Sequence, residues 1–192
     1  MTQLLLRFGA NANLVDSVGR SLVWHAAAFG NREILKCLLS HHGDPEVADS
    51  RGTTPLMISI MNRHPRITEL LLEILTKKAL AATDEEGTSA LMIAAGLGDQ
   101  EFVSQLLKEG CDPKTTNVDG HTALFFAHHG KSQLIYFLNK IHAKRLTGDT
   151  RGRVETKIRR YSDLIEELMQ RGAEASHQVT TSPILRMISP LG

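Results

Sequence analysis

The sequence predicts an all-α solenoid of helix–turn–helix units with protruding turns and a helical C-terminal cap. The motif Asp/Asn-x-x-Gly recurs with glycines at 19, 52, 87, 120 and 152, which are 33, 35, 33 and 32 residues apart. After each of the first four glycines come a Ser or Thr, a short apolar segment and a second apolar segment. Because no single unit can bury its own apolar face, neighbouring units must stack, which is how a solenoid forms.

The short first segment of each unit carries the signals of a helix N-terminus. A Ser or Thr side chain can accept a hydrogen bond from an unpaired backbone N–H at the start of a helix. Pro55 stands at the first helical position, where its missing N–H costs nothing. Small pairs such as Ala26-Ala27 let this helix lie close to its neighbour. The predicted capping residues are Ser21, Thr54, Ser89 and Thr122.

The second segment predicts an amphipathic helix that ends in a turn. In the third unit, four apolar residues recur at helical spacing: Phe102, Val103, Leu106 and Leu107. Gly43 and Gly110 stand where the C-terminus of a helix needs a left-handed residue. Each unit is therefore expected to be a helix, a turn, a second helix and a protruding turn.

Two stretches resemble the ankyrin repeat. They are GTTPLM at residues 52–57 and GTSALMIAAGLGD at residues 87–99, set in a period near 33 residues. The resemblance covers residues 3–141, with an eroded continuation to 176. It implies a half repeat acting as an N-terminal cap at 1–15, four repeats at 16–48, 49–83, 84–116 and 117–148, and a degenerate repeat with a capping helix at 149–176. The tail at 177–192 has no periodicity and is expected to be disordered or loosely docked.

Several positions depart from the family pattern. The His that usually follows Thr-Pro-Leu is replaced by a large apolar residue in all four units: Trp24, Met57, Met92 and Phe125. These side chains either pack between repeats or form an apolar stripe that a partner can reach. Repeat two is longer, has Arg63 where Gly is usual, and is expected to begin its second helix at Pro65. Repeat four loses one residue near HHGKS, and its second helix is expected to run on through Ile141 and His142.

The fifth unit keeps only the turn motif, DTRG at residues 149–152. Apolar residues between Val154 and Arg171 then predict one amphipathic capping helix. In the tail, Ser182 and Ser189 each precede a proline and are candidate phosphorylation sites, although such dipeptides are common by chance.

Composition excludes several classes of protein. Apolar residues make up 42% and charged residues 22% of the chain, as in ordinary globular proteins, and the net charge is +1. Cys37 and Cys111 do not form a disulfide framework, so an intracellular location, cytoplasmic or nuclear, is expected. The N-terminal leucines are too few for a signal peptide and no segment is long enough to span a membrane, so a protein that is not secreted is predicted. A monomer is expected.

The candidate catalytic and cofactor-binding motifs in the sequence lack residues or geometry that their chemistry requires. GKS at residues 130–132 lacks the glycine that a phosphate-binding loop needs five residues earlier, where Phe125 stands. The adjacent pairs His41-His42 and His128-His129 point in different directions on a helix, so neither pair suits a metal. The sequence therefore predicts no catalytic residue, no metal site, no cofactor and no enzyme activity.

The resemblance implies a partner protein or peptide in the concave groove formed by turn tips and first helices. Along the tips the charge alternates in sign, which would favour a partner of matching sign. It is basic, then acidic, then basic again: Arg20 and Arg51; Glu85, Glu86 and Asp119; Arg151 and Arg153. The alternative for any one tip charge is simple solvation. The predicted partner-binding residues are Arg20, Trp24, Phe29, Arg51, Met61, Glu85, Glu86, Leu97, Asp119, His121 and His129.

Two alternatives remain open. Eight basic residues lie between Lys140 and Arg160, with Asp149 and Glu155 as the acidic residues among them. This region could engage nucleic acid, anionic lipid or an acidic protein, although no interleaved aromatics support base stacking, and a solvated face is the favoured interpretation. The chain could also be a regulatory part of a larger protein.

Overall fold

The computed structural model describes residues 2–140 and 148–172, and gives side chains for 4–138 and 150–172. Ile141, His142, Ser182 and Ser189 lie outside the described residues, as does the expected tail. The chain divides into two compact units, Met1–Ala90 and Leu91–Gly192. Throughout the described residues the regular elements are helices, accompanied by isolated bridges at Val15–Ser21 and Thr83–Ser89.

The first unit contains three helical pairs or parts of pairs. Helix α1 (Thr2–Arg7) stands alone, α2 (Leu22–Ala28) pairs with α3 (Arg32–Ser40), and α4 (Pro55–Met61) pairs with α5 (Pro65–Ile74), which is followed by the short α6 (Lys77–Leu80). Helix α3 packs against α1, α2 and α5, and α2 packs against α4. The core residues are Leu35, Leu38, Leu56, Met57, Ile60, Ile67 and Leu71.

The second unit pairs α7 (Ala90–Leu97) with α8 (Gln100–Lys108) and continues into two long helices, α9 (Ala123–Lys140) and α10 (Gly148–Gln170). Helix α10 packs against α9 and α8. Its apolar face buries Tyr161, Leu164, Ile165 and Leu168. The predicted capping helix is therefore present.

The local signals for helix starts are confirmed where the structure records them. The hydroxyl of Ser21 accepts a hydrogen bond from the N–H of Trp24, and Thr54 accepts one from Met57. Pro55 and Pro65 occupy the first positions of α4 and α5. Arg63, in place of the expected glycine, takes a left-handed backbone with φ 57°.

One predicted helix end is wrong by one residue. Gly110 has the left-handed φ of 94° that was expected, but in repeat one His42, with φ 62°, takes this conformation instead of Gly43. Gly43 is needed for a different reason: a Cβ there would lie 2.9 Å from the carbonyl oxygen of Leu38.

Repeat four is not a helix–turn–helix unit, contrary to the prediction. Its two segments form the single helix α9, and Gly130 lies inside it. In the other repeats a left-handed residue, Gly30, Arg63 or Gly98, stands nine positions after the capping Ser or Thr. The deletion places Lys131 at that position, so the turn is lost and the helix continues.

The motif at residues 149–152 is also not a turn. It lies within α10, which begins at Gly148, several residues before the predicted start. Without the downstream Thr-Pro-Leu signal, no new helix begins after Gly152, and the local sequence continues the helix.

The long helices of the second unit enclose Tyr161. Its hydroxyl donates a hydrogen bond of 2.6 Å to the carbonyl oxygen of Gly96. A Cβ on Gly98 or on Gly130 would lie 2.5 Å from a Tyr161 atom, so both glycines are required for this close approach. Tyr161 thereby fixes α10 against α7 and α9.

Candidate partner-binding surface

Each turn tip of the first unit is built around one aspartate. The Oδ1 atom of Asp16 accepts hydrogen bonds from the N–H groups of Val18 and Arg20, both at 3.0 Å. The same pair of bonds recurs at Asp49 and Asp84. Because the aspartate satisfies the backbone of the turn, the Asp-x-x-Gly motif encodes a tip of defined conformation.

Backbone hydrogen bonds also join neighbouring tips of this unit. The N–H of Ser50 donates to the carbonyl oxygen of Val18 at 2.9 Å, and the N–H of Glu85 donates to that of Arg51 at 2.8 Å. We call this row of bonds the tip ladder. It holds the three tips in a fixed order and spacing.

The charges at the tips are paired within the chain. Nε of Arg51 lies 2.8 Å from a carboxylate oxygen of Glu85, and Nη2 lies 3.8 Å from one of Glu86. The hydrogen bond to Glu85 raises the pKa of the Arg51 guanidinium above its usual value. All three side chains are more than half exposed, so solvent screens these pairs and they add little to stability.

Arg20 is paired in the same way with Asp16. Its Nε lies 2.9 Å from Oδ2 of that carboxylate. Burial opposes ionisation of Asp16, but hydrogen bonds from the backbone of Arg20 and Val18 and from the side chain of His25 outweigh it and lower the pKa of Asp16. The charged side chains Arg20 and Arg51 at the tips are thus engaged in ion pairs within the chain.

Trp24 lies mostly in the core rather than on the surface. Its side chain is 9% exposed, its Nε1 donates to the carbonyl oxygen of Thr53 at 3.1 Å, and the guanidinium of Arg20 lies 5.2 Å from its ring. Met57 and Met92 are also fully buried. Trp24, Met57 and Met92 therefore pack between repeats and do not form an apolar stripe that a partner could reach. For this reason we leave Trp24 out of the proposed surface.

Two apolar side chains project from the ends of the first helices in the first unit. Phe29 is 80% exposed and Met61 is 50% exposed. The imidazole of His25 stacks on Phe29, with centroids 6.3 Å apart. Nδ2 of Asn62 donates to the carbonyl oxygen of Ala28 at 2.8 Å and ties the two helix ends together. We call Phe29 and Met61 the apolar anchors.

The predicted residues of the second unit lie at its tip and along α9. The ring of His121 stacks on Phe125 at 3.6 Å with an angle of 2°, and that of His129 stacks on Phe125 at 6.2 Å. Asp119 is exposed and Leu97 is half-buried. The structure therefore brings His121 and His129 together through Phe125.

Sequence reasoning missed the continuation of this surface. Tyr136 is 61% exposed, and a cleft of about 190 Å³ is lined by His129, Ser132, Gln133 and Tyr136. Phe125, His129 and Tyr136 share one face because α9 is unbroken. These residues are separated by four and then seven positions, a spacing that places side chains on one face of a helix. The sequence reveals this shared face only if residues 123–140 form a single helix.

The described part of the basic region is partly paired. Nε of Arg151 lies 2.8 Å from a carboxylate oxygen of Glu155, one helical turn later. The side chain of Lys140, and all of Lys144 and Arg145, fall outside the description. Within α10 these contacts are those of an ordinary solvated helix face.

Over residues 2–140 and 148–172, no group of three His, Cys, Asp or Glu side chains is placed to hold a metal ion. Among the helices described, none combines the length and apolar character needed to cross a membrane.

Paired helices, tips closed by Asp-x-x-Gly motifs and apolar faces buried between neighbours define a helix–turn–helix repeat protein. A family model described as ankyrin repeats (3 copies) matches residues 1–81 and 73–145. The chain belongs to the ankyrin-repeat family, whose members are generally protein–protein interaction modules without catalytic activity of their own.

Relatives include longer proteins of several kinds. Human ankyrin repeat domain-containing protein 63 is 34% identical over 106 residues, covering 54% of this chain and 28% of that protein. Human inversin is 28% identical over 127 residues, covering 66% and 12%. The transient receptor potential channel pyrexia of Drosophila melanogaster is 34% identical over 125 residues, covering 65% and 13%. The matched region thus spans between 12% and 28% of the length of these relatives.

Proposed function

We propose that this chain binds a segment of another protein on the surface formed by its turn tips and the ends of its first helices. The observation that carries the proposal is the exposure of the apolar anchors, Phe29 and Met61, on a backbone fixed by the tip ladder. Binding energy at protein interfaces concentrates in a few apolar or aromatic side chains that become buried.

A fixed surface lowers the cost of binding. The tips are already joined by hydrogen bonds, and Asn62 holds the two helix ends together, so little ordering is required when a partner arrives. The ion pairs of Arg51 with Glu85 and Glu86 form a polar rim beside the anchors. We infer that they select the partner through charge matching more than they add affinity.

Substitution of the anchors tests this proposal. The Phe29→Ala, Met61→Ala double variant should weaken partner binding by about tenfold or more, because it removes both apolar contacts. Lys36→Ala, Glu69→Ala is the matched control, since both residues are exposed on second helices. Binding is measured by quantitative cross-linking from lysate, and the helical content of every variant by circular dichroism.

The outcomes are distinguishable. Proteins lost with the anchor variant and retained with the control are partners of this surface. If every captured protein survives the anchor substitutions, the surface is wrongly assigned. Capture that falls steeply with salt and requires Arg159 and Arg160 would instead favour the polyanion alternative, for which the described contacts of α10 offer no support.

We further propose that the chain acts inside the cell, since two cysteines in a chain of 192 residues do not make a disulfide framework. We also propose that it serves as an interaction region of a larger protein. The second point is supported by the length of its relatives, of which this chain matches between 12% and 28%.

A further inference from the structure

The exposed side of α9 is aromatic, although the exposed side of a helix is ordinarily polar or charged. Tyr136 and Phe137 are 61% and 49% exposed. His129 and Gln133 are also exposed, and the ring of His129 stacks on half-buried Phe125. Positions 125, 129, 133, 136 and 137 recur at helical spacing and therefore share one side of the helix. We call these five residues the aromatic stripe.

The aromatic stripe differs in charge from the exposed side of α10. The charged residues of α9 are Lys131 and Lys140, and neither belongs to the stripe. The exposed positions of α10, by contrast, include both arginines and glutamates, as on an ordinary solvated helix. A contiguous group of exposed aromatic residues on a folded protein commonly marks a surface that something covers.

Helix α10 leads the chain back to the start of α9. Tyr161 of α10 lies against Gly130 of α9, and packed helices joined by a short connection run antiparallel. The last residue of α10, Gln170, is nine residues beyond Tyr161, which corresponds to about 14 Å along the helix. The chain therefore leaves α10 level with the start of α9, near the end of the stripe that carries Phe125.

The residues that follow include a segment suited to this stripe. Residues 183–191 read PILRMISPL and contain one charged residue, Arg186, and no acidic residue. Apolar side chains that cover aromatic rings gain stability from the area removed from water, and a guanidinium can stack on a Tyr ring. We call residues 183–191 the apolar tail segment. Its large apolar residues are Ile184, Leu185, Met187, Ile188 and Leu191.

The connection is long enough for the segment to reach the stripe. Residues 173–182 can span at most about 33–36 Å when extended. The stripe is about 18 Å long from Phe125 to Phe137, at 1.5 Å per helical residue. Because neighbouring residues of a helix point about 100° apart, His129 lies roughly a quarter-turn away from Gly130, which faces α10. The whole stripe is therefore within reach.

We propose that the apolar tail segment docks on the aromatic stripe of α9 and covers Tyr136. A segment tethered by a short connection has an effective concentration of about 1 mM, so an intrinsic Kd of about 0.1 mM keeps it docked in about 90% of molecules. The docked segment closes His129 to a partner until it is displaced. This contact lies within the second unit and does not involve the apolar anchors, so it stands apart from the function proposed above.

The accessibility of Tyr136 tests the proposal in the full chain. Tyr136 and Tyr161 are the tyrosines of the sequence, so rings labelled with carbon-13 give two NMR signals, which Tyr136→Phe assigns. A soluble gadolinium chelate enhances the relaxation of rings that it can approach. In the Leu185→Ser, Ile188→Ser variant this enhancement at Tyr136 should rise by about threefold or more, because the docked state is lost. Tyr161 is buried and is the internal reference.

Val179→Ser is the matched control. It also removes an apolar side chain from the residues that follow α10, but it lies in the connection and leaves residues 183–191 unchanged. We expect Tyr136 to stay as protected in this variant as in the unsubstituted chain. Circular dichroism of all the chains checks that their helical content is the same.

Three results would overturn the proposal. The first is equal accessibility of Tyr136 in the unsubstituted chain and in the Leu185→Ser, Ile188→Ser variant. The second is protection that disappears on dilution, which would identify a second copy as the occupant. The third is an equal loss of protection with Val179→Ser. The anchor variant Phe29→Ala, Met61→Ala should leave the protection of Tyr136 unchanged, so docking of the segment and partner binding at the anchors can fail separately.

Discussion

The tip glycines permit a comparison of two substitutions with the same backbone strain. Gly52 and Gly120 have φ values of +77° and +76°, a conformation that costs other residues about 1–2 kcal/mol. A Cβ on Gly120 would meet no heavy atom within 4 Å. A Cβ on Gly52 would lie 2.9 Å from Cα of Asp84 and 3.2 Å from the carbonyl oxygen of Thr83.

The two sites should therefore differ in the cost of alanine. Gly120→Ala should lower the free energy of unfolding by about 1–2 kcal/mol, which is the strain alone. Gly52→Ala should lower it by about 2–5 kcal/mol, because overlap with neighbouring atoms adds about 1–3 kcal/mol. The backbone of Asp84 cannot move away without lengthening the bond from Glu85 to Arg51 in the tip ladder.

Urea unfolding followed by circular dichroism measures both losses. The dependence of the unfolding free energy on urea should stay the same in both variants, since the folded structure and the exposed surface are unchanged. Gly19→Ala should fall between them, because its Cβ would lie 3.2 Å from the backbone nitrogen of Ser50. Equal losses at Gly52 and Gly120 would refute the reasoning, because they would show that contact between tips contributes nothing.

Three further predictions concern the second unit. Tyr161→Phe should lower the free energy of unfolding by about 0.5–1.5 kcal/mol, because it removes the hydrogen bond to the carbonyl oxygen of Gly96. Thermal unfolding measures this loss of stability. Burial raises the pKa of the Cys111 thiol from 9.0 to about 11, so at pH 8 iodoacetamide should modify it about 100-fold more slowly in the folded chain than in urea. Burial, followed by the charge of Lys131, lowers the pKa of His128 below its ordinary 6.5. The unfolded chain then binds more protons below pH 6.5, so stability should fall as the pH drops from 7 to 5, and less steeply in His128→Gln.

Local signals explain how much of the fold is predictable from sequence. The caps Ser21 and Thr54 accept hydrogen bonds from backbone N–H groups three residues away. A few neighbouring residues are therefore enough to predict the starts of these helices. The caps Asn31 and Asp99 act in the same way at the second helices, although they were not among the predicted caps. Periodicity then identifies the second helices and the apolar core.

The unpredicted features depend on distant contacts. The fusion of two segments into α9 follows from one deleted residue, but its geometry is completed by Tyr161, which approaches Gly130 from α10. Residues 149–152 match the turn motif, but the residues that follow do not support a turn. The missing Thr-Pro-Leu signal after Gly152 was the more reliable indication, since these residues are helical.

The exposure of the predicted surface residues was predictable only in part, for a similar reason. Phe29 and Met61 are exposed, as a position-by-position comparison with the family implies. Burial of Trp24 and the pairing of Arg51 with Glu85 depend on the neighbouring repeat, which the sequence of one repeat does not reveal. Which residues bind a partner remains a prediction.

The extra residues of repeat two have a practical consequence. They form α6 (Lys77–Leu80), which the hydroxyl of Thr76 anchors to a carboxylate oxygen of Glu46 at 2.9 Å. The bonds between tips on either side of this longer repeat still measure 2.9 and 2.8 Å. The added length is thus absorbed before the chain reaches Asp84, which makes the exposed residues Lys77 and Lys78 a permissive place to attach a label.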